Sequence, residues 1–144
     1  MDDEVPQPSG LVTLAGFALA FAGITLCASA LQLIVLFDWY ALWITVVVYV
    51  ELALGLGAIY TGFSYTRASG WTADAGFYFA AGTAVFGVVR VGLMIYAGLF
   101  TAVSLFAVVL ACVAAGLVAF TRVEVMRIHA ARMKLLASLR DEGS

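Results

Sequence analysis

Four long apolar runs constrain this chain more than any other feature of its sequence. They cover residues 11–37, 41–63, 75–99 and 101–122. Each run exceeds the roughly 20 residues that an α-helix needs to cross about 30 Å of hydrocarbon. Apolar residues would lie on every face of these helices, which argues against amphipathic helices of a soluble domain. The alternation typical of membrane β-strands is missing, so the runs predict an all-α integral membrane protein, a four-transmembrane-helix bundle.

The composition agrees with lipid as the surrounding medium. The chain has 144 residues, of which 65% are hydrophobic and 11% are charged. Soluble domains are roughly half apolar and one quarter charged, and one small core could not bury this much apolar side chain. The net charge of −2, with no basic cluster interleaved with aromatic residues, argues against nucleic acid as a partner. We therefore expect the lipid bilayer to be the first partner of this chain.

The apolar runs divide the chain into three parts. Residues 1–10 form an acidic leader that Pro6 and Pro8 keep extended, residues 11–122 form the transmembrane domain, and residues 123–144 form a basic amphipathic tail. A secretory signal begins with positive charge, so the acidic leader predicts that the first helix is retained.

Basic residues predict the orientation of the spans. In a four-span chain all of them except Arg90 fall on one side, and the opposite side carries Asp38. The positive-inside rule then puts both termini and the 64–74 loop in the cytoplasm, and we expect a bacterial or archaeal cytoplasmic membrane. The residues on the basic side are Arg67, Arg122, Arg127, Arg132, Lys134 and Arg140.

Local signals predict the connections between spans. Gly70 interrupts the 64–74 segment, and Asp74 is the expected N-cap of the third helix. Gly98 is the turn signal between the third and fourth runs. Tyr65 and Trp71 are expected at headgroup depth, where amphipathic rings are favoured.

The tail changes from a uniformly apolar to an amphipathic pattern. Its apolar residues recur at helical spacing, basic residues lie on another face, and Arg132 interrupts the apolar one. We expect a cytoplasmic helical extension that continues the fourth span or lies along the inner leaflet, with a solvated extension without a partner as the alternative. The candidate interaction residues are Arg127, Ile128, Arg132, Lys134, Leu135 and Leu139.

Glu51 and Arg90 are the charges deepest in apolar sequence. Counting at 1.5 Å per residue puts Glu51 about 15 Å, and Arg90 about 11–13 Å, below the same membrane boundary. A lone charge at that depth costs at least about 2.5–3.5 kcal/mol, so the sequence predicts an intramembrane ion pair. Gln32 and Asp38 are candidates to extend this polar cluster, or they face headgroups. The hydroxyl of Ser29 is expected to return a hydrogen bond to its own helix.

Several chemistries are disfavoured by the residues present. The one histidine is His129, and the one lysine is Lys134, both in the tail. Two-histidine haem ligation, a retinal-type Schiff base and intramembrane serine hydrolysis therefore lack their groups. Cys27 and Cys112 match no disulfide framework or metal spacing. We expect no metal, no cofactor and no catalytic residues.

Two functions remain open. The first is a small non-catalytic membrane subunit or scaffold within a larger assembly, with other membrane subunits or itself as partner. The second is a small transporter or channel in which Glu51 and Arg90 line or gate the path. The plan resembles that of the small multidrug transporters in architecture only, because Glu51 lies in the second span instead of the first and Arg90 opposes it. The spans lack the polar positions of a water-filled route, which favours the first function.

Overall fold

A computed structural model describes residues 6–36, 42–96, 98 and 100–143, and these residues form four α-helices. All four helices are long and apolar enough to cross a membrane, which confirms the predicted all-α fold with four candidate spans in the described chain. Large apolar side chains are exposed along the outside of each helix, as expected of a surface that faces lipid. The helices are α1 (Gly10–Leu36), α2 (Leu42–Tyr65), α3 (Gly70–Tyr96) and α4 (Ala102–Glu142).

The connection between α2 and α3 is shorter than predicted. It comprises residues 66–69, because α2 runs on to Tyr65 and α3 already begins at Gly70. Asp74 was the expected N-cap, and this was wrong: it lies inside α3 and forms an ion pair with Arg122 of α4. Between α3 and α4, Gly98 adopts a φ of 71°, a left-handed conformation that glycine adopts without steric cost. Thr101 caps α4 by accepting the backbone N–H of Ser104 at 3.3 Å.

The helices follow one another around the bundle. α1 packs extensively against α2 and α4, and α3 packs extensively against α4. The α2–α3 interface is thinner, and within the described chain α2 and α4 have no close backbone approach. Each helix is thus antiparallel to the next. One end of the bundle is marked by Ser9, Arg67, Gly70 and Arg132, which lie close together there.

Glycines set the α1–α2 interface. A Cβ added to Gly23 would lie 2.5 Å from the carbonyl oxygen of Gly55, and one added to Gly62 would lie 2.6 Å from that of Gly16. Both helices therefore repeat glycine at a spacing of seven residues, so the same faces meet turn after turn. Small residues let membrane helices approach until their backbones touch. This interface fixes the register of α2 against α1.

The Tyr65 side chain points from α2 into the bundle and reaches α4. Its side chain is fully buried, and its hydroxyl lies 2.8 Å from Oγ1 of Thr121 and donates to the carbonyl of Val118 at 3.3 Å. Gly76 leaves the space that the Tyr65 ring occupies, because a Cβ there would lie 2.9 Å from the ring. Hydrogen-bond partners on α4 satisfy the Tyr65 hydroxyl inside the bundle, and its placement at headgroup depth stays a prediction. Trp71 is half exposed.

Residues after 122 continue α4 without a break, so α4 is 41 residues long. Val125 and Ile128 are buried against the other helices, so the bundle extends past the predicted end of the fourth span. At about 1.5 Å per residue, the last ten residues of α4 project roughly 15 Å beyond Arg132. Of the predicted leader, residues 1–5 lie outside the described residues, and Gly10 begins α1.

Candidate functional site

A cluster of three polar side chains lies in the middle of the bundle. Ser29 comes from α1, Glu51 from α2 and Arg90 from α3. Nη1 of Arg90 lies 2.5 Å from Oε1 of Glu51, and the two side chains are 5% and 0% exposed. The residues that sequence reasoning paired by depth therefore meet between α2 and α3. A guanidinium beside a carboxylate leaves no net charge in the apolar interior.

Ser29 completes the cluster from α1. Nη1 of Arg90 donates to Oγ of Ser29, and Nη2 donates to the Ser29 backbone carbonyl at 3.5 Å. The Ser29 hydroxyl was expected to bond within its own helix, but in the structure it accepts from Arg90. The signal that could have found it is the glycine register, because pairing Gly23 with Gly55 brings Ser29 within about one helical turn of the level of Glu51.

The cluster keeps unused hydrogen-bonding capacity. Oε2 of Glu51 and Nε of Arg90 are buried and have no hydrogen-bond partner among the described residues. A cavity of about 30 Å³ lies beside Arg90 in the thin α2–α3 interface. It has room for about one water molecule, but its walls are otherwise apolar and so offer a water few partners. The cavity is lined by Val47, Phe86, Val89, Arg90, Leu93 and Met94.

The two candidate extensions of the cluster differ in what can be said of them. Gln32 is partly exposed on α1, and within the described chain it makes no hydrogen bond to Glu51 or Arg90. Asp38 lies outside the described residues. The polar cluster of the structure is therefore Ser29, Glu51 and Arg90.

The tail candidates separate into two groups. Ile128 is buried in the bundle, and Arg132 donates from Nη1 to the carbonyls of Arg67 and Ala68 at 2.8 and 3.4 Å. These two residues are occupied by contacts within the chain itself. The other four leave part or most of their surface accessible; they are Arg127, Lys134, Leu135 and Leu139.

Further polar contacts gather at the end of the bundle that carries the basic residues. Glu124 accepts hydrogen bonds at 2.9 Å from both the backbone N–H and the hydroxyl of Ser9, just before α1 begins. The His129 ring covers Gly70 at the start of α3, where an added Cβ would lie 2.5 Å from the ring. Sequence reasoning missed these contacts, because each joins residues far apart in the chain.

Chemistry beyond charge pairing has little support in the described part of the chain. No group of three or more histidine, cysteine, aspartate or glutamate side chains lies there in a position to hold a metal ion. Cys27 packs beside Gly55 at the α1–α2 interface, where it acts as a small apolar side chain.

No family model, curated protein or solved structure matches this chain. The proposal for its function therefore rests on the geometry of the chain.

Proposed function

We propose that this chain is a small non-catalytic subunit or scaffold of a membrane assembly, with four transmembrane spans and a cytoplasmic α4 extension that holds a partner. The observation that carries the proposal is the projection of α4 beyond the bundle as a continuous, mostly exposed helix. A helix that stands free in water over its last turns loses the packing that stabilises most helices in proteins. A bound partner would replace that packing.

Three contacts brace the base of this projection. Glu124 of α4 is held by Ser9, His129 packs over Gly70, and Arg132 donates to the carbonyl of Arg67 at 2.8 Å. The direction of the final turns is therefore set by contacts with the segment before α1, the α2–α3 connection and the start of α3. A preset direction lowers the entropy that a partner must remove on binding.

The projection offers an apolar surface of its own. Met133, Leu136 and Leu139 are each more than half exposed, and their spacing of three residues puts them on one side of the helix. Lys134 and Ser138 lie on the other side. This amphipathic face fits a helical partner or subunit that packs its own apolar side chains against it.

The central cluster supports a structural role over a mobile one. Glu51 and Arg90 neutralise each other while Ser29 ties Arg90 to α1, so one cluster links three helices. As part of this proposal, the cluster lies within the membrane and both termini lie in the cytoplasm, where the basic end of the bundle would face. A pair that holds three helices together is a register device, which is the best-attested use of buried polar groups.

The alternative function, a small transporter or channel gated by Glu51 and Arg90, has one specific observation in its favour. Oε2 of Glu51 and Nε of Arg90 keep free hydrogen-bonding capacity next to a cavity in the thin α2–α3 interface. Ionisable residues within membranes often mark a transport path. The apolar lining of the cavity argues against a hydrated route, so this function ranks second.

Affinity purification in mild detergent tests the subunit proposal. The tagged full chain should recover a distinct membrane polypeptide, or further copies of itself, in a fixed ratio. Deleting residues 133–144 should remove that partner, and Leu136→Glu should weaken its recovery at least tenfold, while the matched Ser138→Glu on the opposite side should leave it unchanged. Recovery of the same partner by all four chains would refute a role for the projection.

A further inference from the structure

An open groove runs along the outer face of α2 toward the basic end of the bundle. Its residues recur every three or four positions, so they share one side of the helix. The groove has a volume of about 450 Å³ and is apolar over most of its length. It is lined by Leu56, Ile59, Tyr60, Phe63, Ser64 and Arg67.

Aromatic rings from the neighbouring helices flank the groove. The Trp71 ring of α3 stacks on Tyr60 with ring centres 5.8 Å apart and planes at 25°. The Phe17 ring of α1 meets Phe63 edge-on with ring centres 6.3 Å apart. The neighbouring helices α1 and α3 thus hold the rings of two groove residues, Phe63 and Tyr60, in place.

The polar end of the groove carries an uncompensated positive charge. Arg67 is exposed, and among the described residues its guanidinium has no ion-pair or hydrogen-bond partner, since Arg132 contacts its backbone carbonyl. The Ser64 hydroxyl lies one turn away and likewise has no partner in the described chain. A guanidinium and a hydroxyl are suited to a phosphate, which guanidinium can bind through two parallel hydrogen bonds.

The length of the groove matches one leaflet of a bilayer. From Leu56 to Tyr65, where α2 ends, the helix rises about 13.5 Å at 1.5 Å per residue, and Arg67 follows in the α2–α3 connection. Half of a hydrocarbon core of about 30 Å is nearly the same distance. A lipid whose acyl chain lies on Leu56, Ile59 and Phe63 would therefore have its headgroup near Arg67.

We propose that this groove binds one anionic phospholipid, with its phosphate at Arg67 and Ser64 and an acyl chain along α2. A zwitterionic lipid fits the same apolar length, but its own cation competes with Arg67 for the phosphate. A second copy of this chain is disfavoured, because a two-fold axis normal to the membrane would bring two Arg67 side chains to the same depth at the interface. This site rests on the membrane placement proposed above and not on the scaffold role.

Fluorescence quenching of Trp71 tests the site. Trp39→Phe and Trp43→Phe leave Trp71 as the one tryptophan, at the rim of the groove. The chain is reconstituted in vesicles of phosphatidylcholine and phosphatidylglycerol in which one or the other lipid is brominated, and flotation verifies insertion. Brominated phosphatidylglycerol should bind about fivefold more tightly at Trp71, the effect expected for one arginine near an anionic headgroup.

Matched variants separate the groove from general surface charge. Arg67→Gln should bring the two lipids to equal binding, Arg67→Lys should retain most of the preference, and Arg127→Gln, which removes an equal charge on exposed α4, should leave it intact. Equal quenching by both lipids in the parent chain would overturn the proposal. An equal loss of the lipid preference in the Arg67→Gln and Arg127→Gln variants would overturn it as well. The same holds if two copies of the chain can be cross-linked through position 60 and this dimer shields Trp71 from quenching by both lipids.

Discussion

α2 meets its two neighbours by different physical means. Against α1, Gly55 and Gly62 let the backbones of the two helices approach closely, with only the Cys27 side chain packed beside Gly55. Against α3, the contact is thinner and depends on the Glu51–Arg90 pair beside a cavity of about 30 Å³. The α1–α2 interface depends on the absence of side chains at its glycines, and the α2–α3 interface depends on the compensation of two charges. Added side-chain volume should therefore destabilise the α1–α2 interface, and an unpaired charge should destabilise the α2–α3 interface.

The largest expected effect comes from separating the charge pair. Glu51→Gln strands Arg90, which cannot lose its charge, and should lower the unfolding free energy by about 3 kcal/mol. Arg90→Gln should cost less, because the stranded Glu51 carboxylate can take up a proton. The measurement is reversible unfolding in mixed detergent micelles.

The double variant decides what the pair does. Glu51→Gln with Arg90→Gln leaves no buried charge, so it should recover part of the single losses, with a coupling above about 1 kcal/mol in the double-mutant cycle. A static pair further predicts that the double variant keeps its assembly. Losses that simply add would mean that the two residues act independently, and a double variant that folds but loses its cellular role would favour the transporter.

The next effect sharpens the other half of the comparison. Gly23→Ala puts a Cβ 2.5 Å from the Gly55 carbonyl oxygen and 2.9 Å from the Ile59 nitrogen, both backbone atoms that cannot swing aside. The helices must separate, at a cost of about 2 kcal/mol. Gly92→Ala in α3 is the control, because an added Cβ there meets none of the described atoms within 4 Å. It should stabilise the helix by up to about 1 kcal/mol. Equal losses in both variants would show that the α1–α2 contact is not tight.

These interfaces also show what the sequence could and could not predict. Apolar run length predicts the helix ends to within a few residues, with two exceptions: α3 begins at Gly70, five residues before 75, and α4 continues to Glu142, twenty residues past 122. Depth counting brings Glu51 and Arg90 to one level, because a membrane has fixed thickness and a helix has a fixed rise. Ser29 could not be assigned to the cluster in this way, because a serine in a helix can bond to its own backbone. Only the register of α1 against α2 brings its hydroxyl to Arg90.

Tyr65 shows the same limit at the end of the bundle. Its position in the sequence is typical of a headgroup ring, and its burial depends on the space left by Gly76 and on the hydroxyl of Thr121. Those residues lie on other helices, so local sequence carries no signal for the contact. In this chain, sequence predicts that the four helices exist, and glycines such as Gly23 and Gly76 help to determine which side chains then meet.

The smallest effect tests the comparison by its sign. Val47 lines the cavity of the α2–α3 interface, whereas the adjacent Val48 is 2% exposed within a packed core cluster. Val47→Ile adds one methylene to open space and should be neutral or stabilising by up to about 0.8 kcal/mol. Val48→Ile adds the same methylene to a filled site and should cost about 1 kcal/mol. Unfolding of the two variants in the same micelles gives both values. If both variants lose stability equally, the α2–α3 interface is as dense as the rest of the core, and the charge pair, rather than loose packing, is all that distinguishes it from the α1–α2 interface.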